Sequence, residues 1–221
     1  MTANDLLLLR NISVRPGHEE QFGESWGQDA ASHVADGAEL LDAYLETGTG
    51  LVYNLNENRA SDTGARRIHT SLWRVADPAA AAITLSTLSE RLAPHASGVE
   101  VTAVVAEHLP TADDETLSKM TIMRRYSIQG DWNEFLEVWR EVAAVREKYR
   151  FALLFAVADR LSNVFTWAFT TEQNDFSSFM SEGQKDYYGD PQRVRLESIN
   201  AYMKEIALTP AKRLSTAELG G

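Results

Sequence analysis

The segment from Phe151 to Thr171 (FALLFAVADRLSNVFTWAFTT) constrains the fold more than any other part of this chain. It is apolar, β-branched or aromatic except at residues 159–163, so it predicts two strands joined by a turn. Both faces of each predicted strand are apolar, whereas an antiparallel sheet with one face in water alternates apolar and polar side chains. We therefore expect helices to cover one face of this sheet and a second sheet to cover the other.

The same pattern of strands and helices runs through the chain twice. The first half predicts strands at 5–14, 38–45, 67–75 and 99–109 and helices at 19–34 and 78–93, the β-α-β-β-α-β order of a ferredoxin-like unit. Its polar segment up to residue 65 predicts a lid or Ω-loop with a short strand at 51–55. After a linker at 111–118, the second half predicts strands at 120–128, 151–158 and 164–171, helices at 132–149, 175–188 and 191–206, and a last strand at 211–215.

The two halves also align residue by residue, which indicates a duplication. Residues 69–75 align over 163–169. The predicted fold class is α+β, with ferredoxin-like halves at 1–110 and 119–221 facing each other as a pseudo-dimeric α/β barrel in one chain. The aligned pairs are Arg10 with Arg124, Ser13 with Ser127, Phe22 with Phe135, Trp26 with Trp139, and Trp73 with Trp167.

Composition excludes several functions. The chain has 221 residues, a net charge of −11 and no cysteine. The acidic surplus argues against nucleic acid as a partner, and the lack of cysteine excludes disulfides and thiolate metal sites. No apolar run has membrane-spanning length, so we expect no membrane partner and a cytoplasmic location. No set of histidines and carboxylates has the spacing of a metal site, so no metal is expected.

The second half resembles the NIPSNAP-like group of the dimeric α/β barrel superfamily. The resemblance covers about the last hundred residues and rests on five short motifs. They are R-x-Y (Arg124, Tyr126), F-x-x-x-W (Phe135, Trp139), R-x-x-Y-x-F (Arg146, Tyr149, Phe151), N-x-F-x-W (Asn163, Phe165, Trp167) and Y-Y-x-x-P (Tyr187, Tyr188, Pro191).

The first half resembles a diverged antibiotic biosynthesis monooxygenase domain, with V-x-P-G at Val14–Gly17 and a late strand tryptophan at Trp73. That resemblance implies oxidation of anthrone-type aromatic polyketides without a metal or bound cofactor, at a site with asparagine four residues before tryptophan. Asn163 and Trp167 have this spacing, whereas the alignment places His69 at the asparagine position of the first half. Tandem relatives of this size include angucycline ring-opening oxygenases, which implies reduced flavin (FADH2 or FMNH2) with O2 as the alternative chemistry.

These patterns predict catalytic roles for three residues. Asn163 would donate a hydrogen bond to a substrate oxyanion, Trp167 would form an aromatic wall together with Trp73, and His69 would be the base. A structural interpretation is also open for each. Asn163 could occupy a hairpin turn, the tryptophans could be core residues, and His69 could be hydrogen-bonded inside a core.

Arg124 and Arg125 lie on opposite faces of one predicted strand, so at least one is expected to face a cavity and hold an anion. Either could instead pair with a helix carboxylate. Tyr126, Phe155, Phe165, Tyr187 and Tyr188 are the further candidates for aromatic lining, with packing as their alternative role.

The sequence thus predicts an oxygenase of secondary metabolism that acts on a flat aromatic polyketide, either cofactor-free or with reduced flavin, and with C–C cleavage as an option. The predicted partners are a small aromatic substrate and O2. A non-catalytic small-ligand-binding protein and a non-redox polyketide cyclase are the alternatives, and a homodimer is left open.

Overall fold

The computed structural model describes residues 6–110 and 116–215. The first part contains β1 (Leu6–Val14), α1 (Glu19–Ala35), β2 (Glu39–Glu46), β3 (Gly48–Asn54), β4 (Arg59–Arg66), β5 (Ile68–Arg74), α2 (Pro78–Leu85) and β6 (Ala96–His108). The second contains β7 (Met120–Ile128), α3 (Trp132–Lys148), β8 (Leu153–Asp159), β9 (Val164–Thr171), α4 (Phe176–Ser178), a π-helical turn (Phe179–Gly183), α5 (Lys185–Gly189), α6 (Pro191–Arg195), a 3-10 helix (Leu196–Tyr202) and β10 (Met203–Arg213).

Eight of the described strands form a closed antiparallel barrel. Their order is β2-β5-β1-β6-β8-β9-β7-β10, and β2 pairs with β10 to close the circle. The β3–β4 hairpin lies outside the circle and joins it through pairing of β3 with β10. One face of β8 and β9 points into the closed barrel and the other is covered by helices, which explains why residues 151–171 are apolar on both faces.

The two faces of the barrel wall belong to different cores. Phe155 and Val157 point into the barrel with Leu7 of β1, while Phe165 and Trp167 pack outward against α3 and the C-terminal helices. A third core lies outside β1 and β5, under α1 and α2. The expectation that both faces of the 151–171 strands are covered is confirmed.

The two halves share strand order and register. Their orders are β2-β5-β1-β6 and β8-β9-β7-β10, and the irregularity between β2 and β5 (Leu40/Asp42) recurs between β8 and β9 (Leu153/Phe155). Arg10 pairs with Ser71 across β1 and β5, and Arg124 pairs with Trp167 across β7 and β9.

That register corrects one part of the sequence alignment. With Arg10 equivalent to Arg124, Ser71 takes the place of Trp167, so β5 is shifted by two residues. Trp73 is therefore equivalent to Phe169, and His69 to Phe165. Helix contacts agree, because His69 packs on Phe22 and Trp26 of α1 as Phe165 packs on Phe135 and Trp139 of α3.

Four predicted elements differ from the structure, and the first is the helix predicted at 175–188, which is divided into α4, a π-helical turn and α5. The segment after β2 is a β3–β4 hairpin rather than a loop with one short strand, and α2 ends at Leu85 rather than near residue 93. β10 begins at Met203, where the sequence predicted helix, because pairing with both β3 and β7 outweighs local helix propensity. Residues 111–115 of the predicted linker and the predicted strand start at residue 5 lie outside the described residues.

Candidate active site

A cavity of about 540 Å³ lies on the outer face of the second-half sheet. Its floor is formed by β7 and β10, and one side by α3. The helical segments from the π-turn through the 3-10 helix form the other side, and the β3–β4 hairpin closes it through Leu51, Tyr53 and Leu55. A volume of this size matches the pockets that hold drug-sized small molecules.

The cavity is basic, although the chain as a whole is acidic. Its lining contains Arg124, Arg146, Lys185 and Arg193 but only one acidic residue, Glu197. The chain carries a net charge of −11. Positive charge concentrated in a concave, partly apolar site favours an anionic ligand.

The three cavity arginines are buried, and each is placed by a different element. Arg124 is 4% exposed and points outward from β7, Arg146 is 2% exposed in the last turn of α3, and Arg193 is 9% exposed in α6. Asp190 caps α6 by accepting hydrogen bonds from the Gln192 and Arg193 backbone N–H groups, and this fixes the start of the helix.

Aromatic rings pack against the flat guanidinium faces. The Arg146 guanidinium carbon lies 4.2 Å from the ring centre of Tyr187 and 5.4 Å from that of Trp167. Arg124 lies 5.6 Å from the Trp167 ring centre, and Arg193 lies 5.6 Å from that of Tyr187. Cation–π attraction of this kind offsets part of the cost of burying the charges.

The edges of these guanidinium groups are not satisfied by the described residues. The Nε and Nη1 atoms of Arg124, Arg146 and Arg193 have no hydrogen-bond acceptor in that part of the chain, and neither does the hydroxyl of Tyr187. An unsatisfied buried polar group costs about 1–3 kcal/mol, and more when charged. A ligand rich in acceptors would remove that cost.

Tyr188 lines the same cavity, and the arginines act on the pKa of its phenol. Burial raises the pKa of Tyr188, but the charges of Arg124, Arg146 and Arg193, together with a hydrogen bond from Arg124, bring it below the ordinary value. Its side chain is half-exposed at the cavity. A phenol with a lowered pKa beside a guanidinium combines a proton acceptor with an anion stabiliser.

In the first half, the strand arginine equivalent to Arg124 is paired with a carboxylate of the chain itself. Arg10 Nη1 donates to Asp29 Oδ2 at 2.7 Å, and Arg10 Nη2 donates to the Thr87 carbonyl at 3.2 Å. His33 Nε2 lies 3.4 Å from the same Asp29 oxygen. Burial raises the pKa of Asp29, but the contact with His33 and the hydrogen bond and charge of Arg10 outweigh this effect and lower the pKa to about 2.

Equivalent positions on the two long helices explain this difference. Counting from Trp26 and Trp139, Asp29 corresponds to Val142 and His33 to Arg146. Val142 is buried and lines the cavity. The second half therefore has an apolar side chain where the first half has the carboxylate that neutralises its strand arginine.

Four of the eleven sequence-predicted site residues line this cavity, namely Arg124, Tyr126, Tyr187 and Tyr188. Trp167 lies directly behind it, 1% exposed, beneath Arg124 and Arg146. Phe165 packs deeper, with its ring centre 4.7 Å from that of Trp139.

Asn163 lies in the turn before β9 rather than on the strand. Its φ of 55° is in the left-handed region that asparagine tolerates, and its side-chain Oδ1 accepts a hydrogen bond from Trp132 Nε1 at 3.1 Å. Asn163 and Trp167 therefore do not form a pair on one strand face as the spacing predicted.

His69 and Trp73 belong to the core of the first half. His69 is fully buried, with its ring centre 4.3 Å from that of Trp26, and burial together with the charge of Arg10 lowers its pKa to about 3, against a smaller opposing effect of Asp29. Trp73 donates from Nε1 to the Ser71 hydroxyl at 2.9 Å.

Arg125 and Phe155 face the interior of the barrel. Arg125 forms an ion pair with Glu46 and donates to the Thr70 hydroxyl at 3.2 Å. Phe155 packs against Tyr44, with ring centres 5.2 Å apart. Arg124 and Arg125 thus do lie on opposite faces, and Arg124 is the one that reaches the large cavity.

Sequence reasoning did not assign Arg146, Arg193 or Val142 to the site. Arg146 and Arg193 are charged helix residues, which are usually solvated, and Val142 is one of several apolar residues on α3. One signal was available, because the helix alignment that pairs Trp26 with Trp139 also pairs Asp29 with Val142.

Solved structures share this fold along almost the whole chain. A candidate monooxygenase of Lactobacillus acidophilus NCFM aligns with a TM-score of 0.57 and 8% identity over 95% of this chain and 94% of its own. A candidate monooxygenase of Fusobacterium nucleatum aligns with a TM-score of 0.59 and 10% identity over 97% and 94%. An anthrone oxidase-like protein aligns with a TM-score of 0.57 and 8% identity over 96% and 93%.

These similarities show that the chain shares the fold of these solved structures, a closed antiparallel barrel with helices on its outer face. No protein-family model and no curated protein matches the sequence. Within the described residues, no group of three or more His, Asp or Glu side chains is arranged to hold a metal ion. No helix in that part of the chain is long and apolar enough to cross a membrane.

Proposed function

We propose that this chain is an oxygenase that oxidises a flat, acidic aromatic polyketide of the anthrone or angucycline type in the second-half cavity. The observation that carries the proposal is an aromatic-lined cavity that Tyr188 lines together with three buried arginines, Arg124, Arg146 and Arg193, whose Nε and Nη1 atoms have no acceptor among the described residues. The monooxygenase and anthrone oxidase-like names of the fold neighbours support the same class of reaction.

In the proposed reaction, the Tyr188 phenolate accepts a proton from the substrate, and Arg124 stabilises the resulting enolate or phenolate. The electron-rich anion then reduces O2. For an anthrone, one oxygen atom replaces the two hydrogens of the CH2 group as a carbonyl, and the other leaves as water with those two hydrogens. The four electrons required by O2 all come from the substrate.

This assignment moves the role of base from His69 to Tyr188. His69 is enclosed by Phe22 and Trp26 in the first half, whereas Tyr188 lines the cavity. We propose that Trp167 packs beneath Arg124 and Arg146 and holds them in place, rather than forming an aromatic wall against the substrate. Asn163 is then a turn residue that positions Trp132.

Reduced flavin remains a proposed co-substrate, because the arginines also suit the phosphate of FMNH2. When bound, reduced flavin would supply two electrons, so that the substrate supplies only two. Ring opening by C–C cleavage belongs to this second form of the proposal.

We also infer that the chain consists of two ferredoxin-like halves, at 1–110 and 119–221, of which the second kept the site. Shared strand order, a shared irregularity beside β2 and β8, and the filled Arg10–Asp29 position support this inference.

The test is a reaction of the purified protein under ¹⁸O₂ with anthrone and angucycline-type substrates, with and without a reduced-flavin supply. Mass spectrometry should find one labelled oxygen in an enzyme-dependent product. A product without label would make the protein a cyclase that uses the same enolate, and unchanged substrate despite tight binding would make it a binding protein.

A further inference from the structure

The cavity contains further donors next to the proposed reacting position at Arg124 and Tyr188, and the Arg193 guanidinium carbon lies 5.4 Å from the ring centre of Tyr188. Arg146 and Arg193 both pack on Tyr187, at 4.2 and 5.6 Å from its ring centre. The Nε and Nη1 atoms of both arginines and the Tyr187 hydroxyl have no acceptor among the described residues. These five polar atoms are carried by side chains that are at least nine-tenths buried.

Cation–π packing does not satisfy these donors. An aromatic ring attracts the face of a guanidinium group, while the N–H bonds lie in the guanidinium plane and point outward from its edge. The guanidinium edges of Arg146 and Arg193 and the Tyr187 hydroxyl are therefore left to bind a ligand. A group with several oxygen acceptors and a negative charge fits them, since guanidinium pairs best with carboxylate or phosphate.

The first half shows how this fold neutralises a buried strand arginine without a ligand. Asp29 places its carboxylate against both Arg10 and His33, and His33 holds the position equivalent to Arg146. In the second half Val142 replaces that aspartate, so the carboxylate must come from elsewhere.

We propose that the cavity ligand carries a terminal oxyanion, a carboxylate or a phosphate, that Arg146, Arg193 and Tyr187 bind next to the reacting position through the guanidinium edges and the Tyr187 hydroxyl. The inference rests on the proposed function only in using the same cavity. It names the substrate class as aromatic acids, or the phosphate end of a flavin, and it assigns Arg193 as a residue that determines specificity.

The volume of the cavity and the charges that line it are consistent with a ligand that has an apolar body and one anionic group. The apolar part of the ligand would lie against Tyr126, Leu51 and Ile206, which line the remainder of the roughly 540 Å³ cavity. Glu197, the acidic lining residue, is exposed, so it does not neutralise the buried arginines from within.

The experiment measures equilibrium binding of three probes by titration calorimetry. They are anthraquinone-2-carboxylate, its neutral analogue 2-(hydroxymethyl)anthraquinone, and FMN. Each is titrated into the wild type, Arg193→Gln and Arg195→Gln. Arg195 is an exposed residue of the same helix and provides the matched control.

We expect wild type to bind the carboxylate or FMN at least about tenfold more tightly than the neutral analogue, about 1.4 kcal/mol. Arg193→Gln should remove this preference, and Arg195→Gln should keep it. Preference for the carboxylate alone identifies an acidic substrate, and preference for FMN alone identifies a flavin phosphate. Equal binding of all three probes by wild type, or an unchanged preference in Arg193→Gln, would overturn the proposal.

Binding and turnover separate this inference from the proposed function. Arginine-dependent binding of the acid without O2 consumption would refute the oxygenase and support the oxyanion site. Oxidation of an anthrone carboxylic acid with the same KM by wild type and Arg193→Gln would refute the oxyanion site and support the oxygenase.

Discussion

Val142 lies on α3 where Asp29 lies on α1, each three residues after the equivalent tryptophans Trp139 and Trp26. Asp29 neutralises Arg10 at 2.7 Å, whereas Val142 lines a cavity that Arg124 also lines. One position thus distinguishes a half with an internal ion pair from a half able to receive an anion.

Replacing Val142 with Asp should therefore convert the second half to the state of the first. The new carboxylate would compete with the ligand for Arg124 and Arg146, so affinity for anthraquinone-2-carboxylate should fall at least about tenfold. Val142→Asn is the matched control of nearly equal size without charge, and it should lose much less. Equal affinities of the two variants would show that charge at this position is irrelevant.

Asp29→Asn should destabilise the protein without affecting the cavity. Removing one partner of a buried ion pair leaves the other charge uncompensated and costs about 3–5 kcal/mol. Urea unfolding at pH 7 measures this change, and ligand titration provides the control. A loss below about 1 kcal/mol would mean that Arg10 finds another partner.

The pH dependence of Asp29 follows from the same ion pair. Its pKa falls from 3.8 to about 2 on folding, so its stabilisation is complete above pH 4 and is lost between about pH 4 and 2. The loss amounts to roughly 2 kcal/mol. In Asp29→Asn, the free energy of unfolding should therefore fall less between about pH 4 and 2 than in the wild type. The same pH dependence in both proteins would contradict the stabilising role of the Asp29 carboxylate.

His69→Phe should make the protein more resistant to mild acid. The pKa of His69 is about 3 in the fold against 6.5 for a free histidine, so the unfolded chain takes up a proton first, and stability falls as pH drops below 6.5. The slope is about 1.4 kcal/mol per pH unit. Phenylalanine occupies the equivalent position, Phe165, and should fit between Phe22 and Trp26. The variant should keep its activity, whereas abolished activity in a folded variant would restore His69 as the base.

Tyr188→Phe should lower turnover while largely preserving affinity for aromatic acids. The acidic limb of the wild-type pH–rate profile should lie below the ordinary tyrosine pKa, because Arg124, Arg146 and Arg193 favour the phenolate. The variant should lose that limb. An unchanged profile and rate would mean that another group accepts the proton.

Gly50→Ala tests the hairpin as a wall of the cavity. A Cβ at Gly50 would lie 2.2 Å from the Leu208 carbonyl oxygen, so β3 must move away from β10. Ligand affinity should fall at least about threefold and the melting temperature should drop, since such strain costs about 1–3 kcal/mol. Gly98→Ala, where nothing lies within 4 Å of the added atom, is the control. Equal affinity in both variants would show that the hairpin does not shape the site.

Much of the fold was predictable because local pattern and tertiary structure agree there. The two-sided apolar strands at 151–171 indicated coverage on both faces, and α1 and α3 follow their apolar periodicity closely. β10 was not predictable in the same way, since Met203–Ile206 becomes a strand only through pairing with β3 and β7.

The site was less predictable because it depends on register and on missing partners. The alignment placed Trp73 on Trp167, and only the pairing of Arg10 with Ser71 reveals the two-residue shift. Arg146 looks like an ordinary solvated helix residue in sequence, and its burial follows from the C-terminal helices that fold over it.

The most direct test of the central claim is O2 consumption by wild type, Val142→Asp and Val142→Asn with an anthrone carboxylic acid, with and without reduced flavin. We predict enzyme-dependent uptake by wild type and Val142→Asn, and a loss of at least about tenfold in Val142→Asp. Uptake by Val142→Asp at the wild-type rate, or no uptake by wild type under either condition, would contradict an oxygenase site in the second-half cavity.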